Sequence, residues 1–276
     1  ASDYHEAETV LDRLTEHLGE EASGDQEYQT LRRRYREEAQ QWEEEWEEKR
    51  QSLIDETLEL VEGGKVGRAE QTLGALKTHF EEHPAKEAKR DEEYQSLSTK
   101  VEEASEEASR LEGMNRQLEE ARSHRRRAAF EEAAASLEEI DERLSTRSEV
   151  KTAHETLEEA EEVYTRKIER AESAESEGDW EVVADACETA LEYCPEATEA
   201  SDRKGKAKAQ QEKAEEAVSR ARSAWKEAGF EEAEAALEEA REHWPVWEGI
   251  DQAEDTLSSM RSEYEPALKE ERRAKD

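Results

Sequence analysis

Apolar side chains recur along this chain at offsets of 0, 3, 7, 10 and 14, and four segments share that register. They begin at Val66, Phe130, Trp180 and Phe230. Three residues on stand Ala69, Ala133, Val183 and Ala233; seven on, Leu73, Leu137, Cys187 and Leu237. Ten on come Leu76, Ile140, Ala190 and Ala240, and fourteen on Phe80, Leu144, Cys194 and Trp244. A fifth copy reads Tyr4, Ala7, Leu11, Leu14 and Leu18. These offsets draw one apolar stripe along an α-helix, so each segment is predicted to be a helix of roughly 16 residues.

Successive starts lie 62, 64, 50 and 50 residues apart, and a second helical stretch precedes each later start. The one before Val66 carries Tyr28, Leu31, Tyr35, Ala39, Trp42, Trp46, Leu53, Thr57 and Leu60 in steps of three, four and seven. The one before Phe230 carries Ala214, Ala217, Val218, Ala221, Ala224 and Trp225, small residues that admit a close partner helix. Gly63-Gly64, Gly178-Asp179 and Ala228-Gly229 break the pattern, and Pro84, Pro195 and Pro245 follow the shorter helices.

The predicted fold is therefore all-α, an elongated array of antiparallel helix hairpins over 1–276. Its units are 1–19 (partial), 25–83, 86–145, 147–195 and 197–245, with a C-terminal helix over 247–276. The first unit has no preceding partner, so the chain is expected to begin with an incomplete unit or to be cut from a longer protein. Its helix should lean on the one beginning near Asp25. Trp180 and Phe230 share a register and are expected to be buried alike. In the 50-residue units the longer helix has about 30 residues, or about 45 Å, against about 24 Å for the shorter. If such helices stay straight, the units stagger into a rod; breaks at Gly113 or Gly205 would stack them compactly instead. The stretch from Glu149 to Glu177 holds neither Gly nor Pro, which favours the rod. Small-angle scattering should then give a radius of gyration well above the roughly 19 Å of a compact chain of this length.

Gly178-Asp179-Trp180-Glu181, with Ala186, Ala190-Leu191 and Pro195, resembles the second helix of a tetratricopeptide repeat. Ala228-Gly229-Phe230-Glu231-Glu232-Ala233, with Ala240 and Pro245, is similar. The resemblance covers roughly 165–250 well and the earlier units weakly. The family period is 34 residues, and the extra length here lies in the first helix of each pair. The resemblance implies protein–protein interaction; it carries no peptide-clamp motif.

Composition sharpens this picture. Only 4 Pro and 11 Gly interrupt 276 residues, and the hydrophobic share of 33% suits an extended array better than a thick core. The net charge of −37 repels phosphates and argues against nucleic acid as a partner. Glu outnumbers Asp 65 to 12 and Arg outnumbers Lys 25 to 15, an acidic balance resembling proteins of salt-accumulating, halophilic organisms. Added ions screen self-repulsion. Thermal melts are expected to rise from low salt to molar potassium chloride; a flat or falling series would refute that. No apolar run is long enough to span a membrane. No signal peptide is apparent, and Cys187 and Cys194, two turns apart on one helix, cannot bridge within it. They read as small buried residues of a reducing, cytoplasmic compartment.

Catalytic chemistry is sparse. His79-Phe-Glu-Glu82-His83 matches the H-x-x-E-H zinc-peptidase pattern. Yet His79 shares a repeat position with Tyr193 and His243, and Pro84 follows at once, so a structural role is favoured. Arg32-Arg33-Arg34 and Arg125-Arg126-Arg127 are short basic clusters, expected to pair with nearby acids such as Glu37 and Glu38. Trp42 and Trp46 share a face, and Trp247 lies beyond Pro245. These three are the candidate partner-binding residues if exposed, and seam residues if not. No phosphate loop, nucleophile elbow or calcium loop appears. The expected function is a non-catalytic scaffold or adaptor for another protein, with self-association possible and no cofactor. The alternatives are a spectrin-like or coiled-coil spacer rod and, less favoured, a metal-dependent hydrolase using His79 and His83.

Overall fold

The computed structural model describes residues 2–19, 25–83, 86–227 and 229–275, with side chains described over a narrower range at both ends. Among them the chain forms ten α-helices, two short 3-10 turns and no strand. It divides into two compact units, Ala1–Glu112 and Gly113–Asp276. The first holds α1 (Ser2–Leu18), α2 (Gln26–Glu62), α3 (Val66–Glu81), a 3-10 turn (Ala88–Arg90) and the start of α4 (Glu92–Arg126). The second holds the rest of α4, α5 (Phe130–Glu138), a 3-10 turn (Glu142–Leu144), α6 (Ser148–Glu177) and α7 (Trp180–Tyr193). It continues through α8 (Thr198–Lys226), α9 (Phe230–His243) and α10 (Glu248–Lys275).

Long and short helices alternate as the apolar stripes require. Helix α6 has 30 residues and α8 has 29, while α7 and α9 have 14 each. Neither Gly113 nor Gly205 interrupts its helix. One device closes each turn from long helix to short. The residue before each short helix donates its N–H five residues back: Lys65 to Leu60, Ala129 to His124, Asp179 to Ala174 and Gly229 to Ala224, at 2.8–3.0 Å. This is the Schellman closure, which needs a left-handed residue just before the donor. Gly64 (φ 67°) and Gly178 (φ 74°) supply it, but so does Ala128 (φ 59°). Ala228, at the corresponding position, lies outside the described residues.

A left-handed alanine costs about 1–2 kcal/mol, less the entropy a glycine adds to the unfolded chain. Ala128→Gly is therefore expected to stabilise the chain by about 0.5–1 kcal/mol in urea denaturation. Gly178→Ala should destabilise it, and by more, because a Cβ there would meet Pro245 Cδ at 2.7 Å.

Burial follows the stripe with informative exceptions. Offsets 3, 10 and 14 are buried in all four short segments, and offset 7 in three, Leu73 being half-buried. At offset 0 only Trp180 is buried; Phe230, expected to match it, is half-buried, as are Val66 and Phe130. The difference lies 34 residues on. Phe130 meets Tyr164 and Phe230 meets Tyr264, ring centroids 5.7 and 6.2 Å apart. Trp180 has Ala214 at that position, a fully buried member of its own cluster, which leaves room for the indole to sink. The thiols of Cys187 and Cys194 are free and buried in this cluster. Burial pushes both up, Cys194 to about 11.

The unit beginning at Phe130 departs from its sisters. Its short helix ends at Glu138 after nine residues, so Ile140 and Leu144 are buried outside it, the second in a 3-10 turn. Asp141 is the reason: its carboxylate accepts the Arg143 N–H at 2.9 Å, a local bond that competes with helix continuation.

The first unit begins as its stripe suggests and then loosens. Asp25 caps α2 by accepting from the N–H groups of Glu27 and Tyr28. Tyr28 in turn donates to the Leu11 carbonyl at 2.9 Å, so α1 leans on the start of α2. Leu11 is buried, but Leu14 and Leu31 are 41% and 60% exposed, contrary to the stripes that include them. Among the described residues α1 packs on the start of α2, and that contact does not cover the whole stripe. The side chains of Tyr4 and Leu18, and Pro84, lie outside the described residues.

Candidate partner-binding site

In the first unit, α2 carries Trp42 and Trp46 one turn apart, facing the end of α3. Trp46 is buried, 4% exposed. Its indole N–H donates to the His79 carbonyl at 3.1 Å, and His79 Nε2 lies 2.9 Å from the Trp46 carbonyl. A carbonyl only accepts, so His79 Nε2 is the donor of that bond. Its Nδ1 is buried without a hydrogen-bond partner, 3.6 Å from a Glu82 carboxylate oxygen. The His79 ring stacks on Trp46 (4.7 Å, 12°), and His83 meets Trp46 edge-on at 4.8 Å. Trp42 is half-buried, its ring 4.8 Å from that of His83. Lys86 Nζ sits 4.2 Å over the Trp46 ring and pairs with Glu43 at 2.6 Å.

The two imidazoles of the H-x-x-E-H segment do not converge. One Nε2 is committed to the Trp46 backbone and the other lies 2.8 Å from Glu43 Oε2. No three metal-ligating side chains cluster among the described residues. His79 instead holds α3 to α2, and its repeat equivalents act similarly. Tyr193 reaches Glu159 (3.4 Å) and His243 reaches Gln210 (3.0 Å), each 33 or 34 residues back in the preceding long helix.

Beside this joint lies an open depression of about 480 Å³, lined by Trp42, Glu45, Trp46, Lys49, His79 and Glu82. Its wall is the accessible part of Trp42, flanked by two exposed carboxylates. Of the three tryptophans read as candidate anchors, Trp46 is therefore a seam residue, because its hydrogen bond and stack hold it under the helix pair. In the second unit Trp247 is half-buried and stacks on the buried Trp244 (4.9 Å, 10°), touching two core clusters. It too is largely committed to the fold. Trp42 remains as a half-buried tryptophan that lines a concave surface.

Glu43 links the joint's charges. Burial pushes its carboxyl up, but hydrogen bonds from His83 and Lys86 outweigh that and hold it below the usual range. A lowered carboxyl stabilises the fold above its unfolded value, and that contribution is lost as pH falls through the folded value. Glu43→Gln should thus lower stability at pH 7, by less than about 1 kcal/mol for a half-exposed group, read as a lower melting temperature. The gap from wild type should narrow below about pH 4. A gap that persists undiminished at pH 3 would contradict the assignment.

The arginine clusters resolve differently. Arg33 and Arg34 pair with Glu37 (3.5 Å) and Glu38 (3.8 Å) one turn on. In the second cluster Arg126 pairs with Glu196 at 2.7 Å, across to another helix connection, and Arg127 bonds back to Ser123 O. No acid stands four residues after Arg125, where the sequence has Ala129. No helix among the described residues is long and apolar enough to cross a membrane. Comparison with family models, with characterised proteins and with solved structures gives no match.

Proposed function

We propose that the chain is a non-catalytic protein-interaction module, a tetratricopeptide-like array of helix hairpins whose first unit accepts a basic segment of another protein. The observation that carries this reading is the depression beside Trp42, whose lining places the half-buried indole with the exposed carboxylates of Glu45 and Glu82 and a single lysine, Lys49. Indole and carboxylate together suit an arginine or lysine side chain, through cation–π contact and charge-assisted hydrogen bonds. The charge of −37 adds long-range attraction for a basic partner and disfavours nucleic acid. The alternative reading, a spacer rod, draws support from the unbroken 37 residues of α2 and 35 of α4.

The two readings separate in a binding experiment. Partners captured from the native lysate at native salt are compared between wild type and the Trp42→Ala, Glu45→Gln, Glu82→Gln variant. A partner bound through the depression is lost in the variant while the circular dichroism melt is kept. Undiminished capture of every partner would place binding elsewhere, and a spacer would show no partner that depends on these three residues.

A further inference from the structure

The geometry points to a second, small-molecule site: a groove between α4 and α6 that takes an amphipathic carboxylate, its acid group on Arg125 and its apolar body against Leu118, Leu137 and Leu157. The groove lies wholly within the second unit and encloses about 350 Å³. One wall is a single face of α4, Leu118, Ala121, Arg122 and Arg125 at steps of three and four. The other is a face of α6 running from Ser148 and Glu149 through Thr152, Ala153 and Thr156 to Leu157, with Leu137 of α5 closing one side. Leu137 stands one residue before α5 ends at Glu138.

Three observations give the groove its ligand chemistry. First, Arg125 is unusual in this chain of 77 acidic residues. Its Nε is buried with no hydrogen-bond partner, and among the described residues no carboxylate pairs with its guanidinium. A buried donor without an acceptor is costly, so an acceptor supplied from outside would be well held. Second, the lining carries two guanidiniums against one carboxylate; Arg122 is paired with Glu119 at 2.5 Å, which leaves Arg125 as the lining cation without a carboxylate partner among the described residues. The lining carboxylate, Glu149, is exposed and already engaged. Its own backbone N–H and the Ser148 hydroxyl (3.1 Å) hold it below the usual range. Third, the remaining lining is aliphatic or hydroxylated, a mostly apolar concavity with few polar groups, of the size that encloses small ligands rather than a helix.

The long-range field opposes any anion, but it is screened within about 3 Å at 1 M salt, whereas contact with Arg125 is not. The test therefore uses the full chain in molar potassium chloride, titrated calorimetrically with sodium octanoate, octylammonium chloride or sodium acetate. Octanoate is expected to bind saturably, one per chain, with acetate and octylammonium at least tenfold weaker. Arg125→Met should weaken octanoate at least tenfold, and Ala153→Phe, which fills the groove from a half-buried position, should abolish binding. Nuclear Overhauser contacts from the octanoate chain to the Leu118 and Leu157 methyls would locate it. The proposal fails if octylammonium matches octanoate on the wild type, if no saturable octanoate binding occurs, or if either folded variant binds as wild type does. Loss of the Trp42-dependent partner would leave this result unchanged, since the groove shares no residue with that depression.

Discussion

Trp46→Ala is expected to destabilise the first unit by about 3–5 kcal/mol, the range for emptying a buried tryptophan site. The side chain is 4% exposed, stacks on His79 and contacts Phe80 edge-on at 5.4 Å, so several partners lose a face at once. Truncation also removes the donor that satisfies the His79 carbonyl. Urea denaturation followed by circular dichroism would measure the loss. Trp42→Ala is the contrast: half-buried and at the edge of the depression, it should cost clearly less. A loss at Trp46 below about 1 kcal/mol would mean the α2–α3 joint is not packed this way.

A second large effect is expected at Trp180, where truncation to Ala should again cost about 3–5 kcal/mol. Trp180 is 8% exposed and its indole N–H donates to the His243 carbonyl, 63 residues on, tying α7 to the end of α9. Phe230→Ala, at the same repeat offset, should cost about half as much, because its ring is half-buried and rests on a Tyr264 that is 50% exposed. Equal losses at the two positions would restore the simpler expectation that one repeat offset means one environment.

Much of this architecture was legible from spacing alone. Offsets 3, 10 and 14 alternate with charge so regularly that the helices and their apolar faces follow from the 3.6-residue turn. Buried small residues such as Ala190 and Ala240 could be placed without knowing their neighbours. So could the i to i+4 pairs of Arg33 and Arg34, because both partners lie on one helix.

Contacts between helices were not legible in that way. Whether position zero is buried depends on what stands 34 residues away, alanine beside Trp180 and tyrosine beside Phe230, and a stripe on one helix does not report the volume its neighbour leaves. The left-handed Ala128 was hidden because alanine reads as a helix former; only the Lys65, Asp179 and Gly229 closures around it reveal the conformation that its turn must adopt. The groove beside Arg125 likewise takes its lining from three helices, α4, α5 and α6, which no single stripe reports. Periodicity along the chain fixes which face of each helix is apolar, since that depends on backbone geometry alone. The matching of volumes and the pairing of donors across helices decide which of those residues are sealed in and which remain able to bind, because those terms arise only when the second surface arrives.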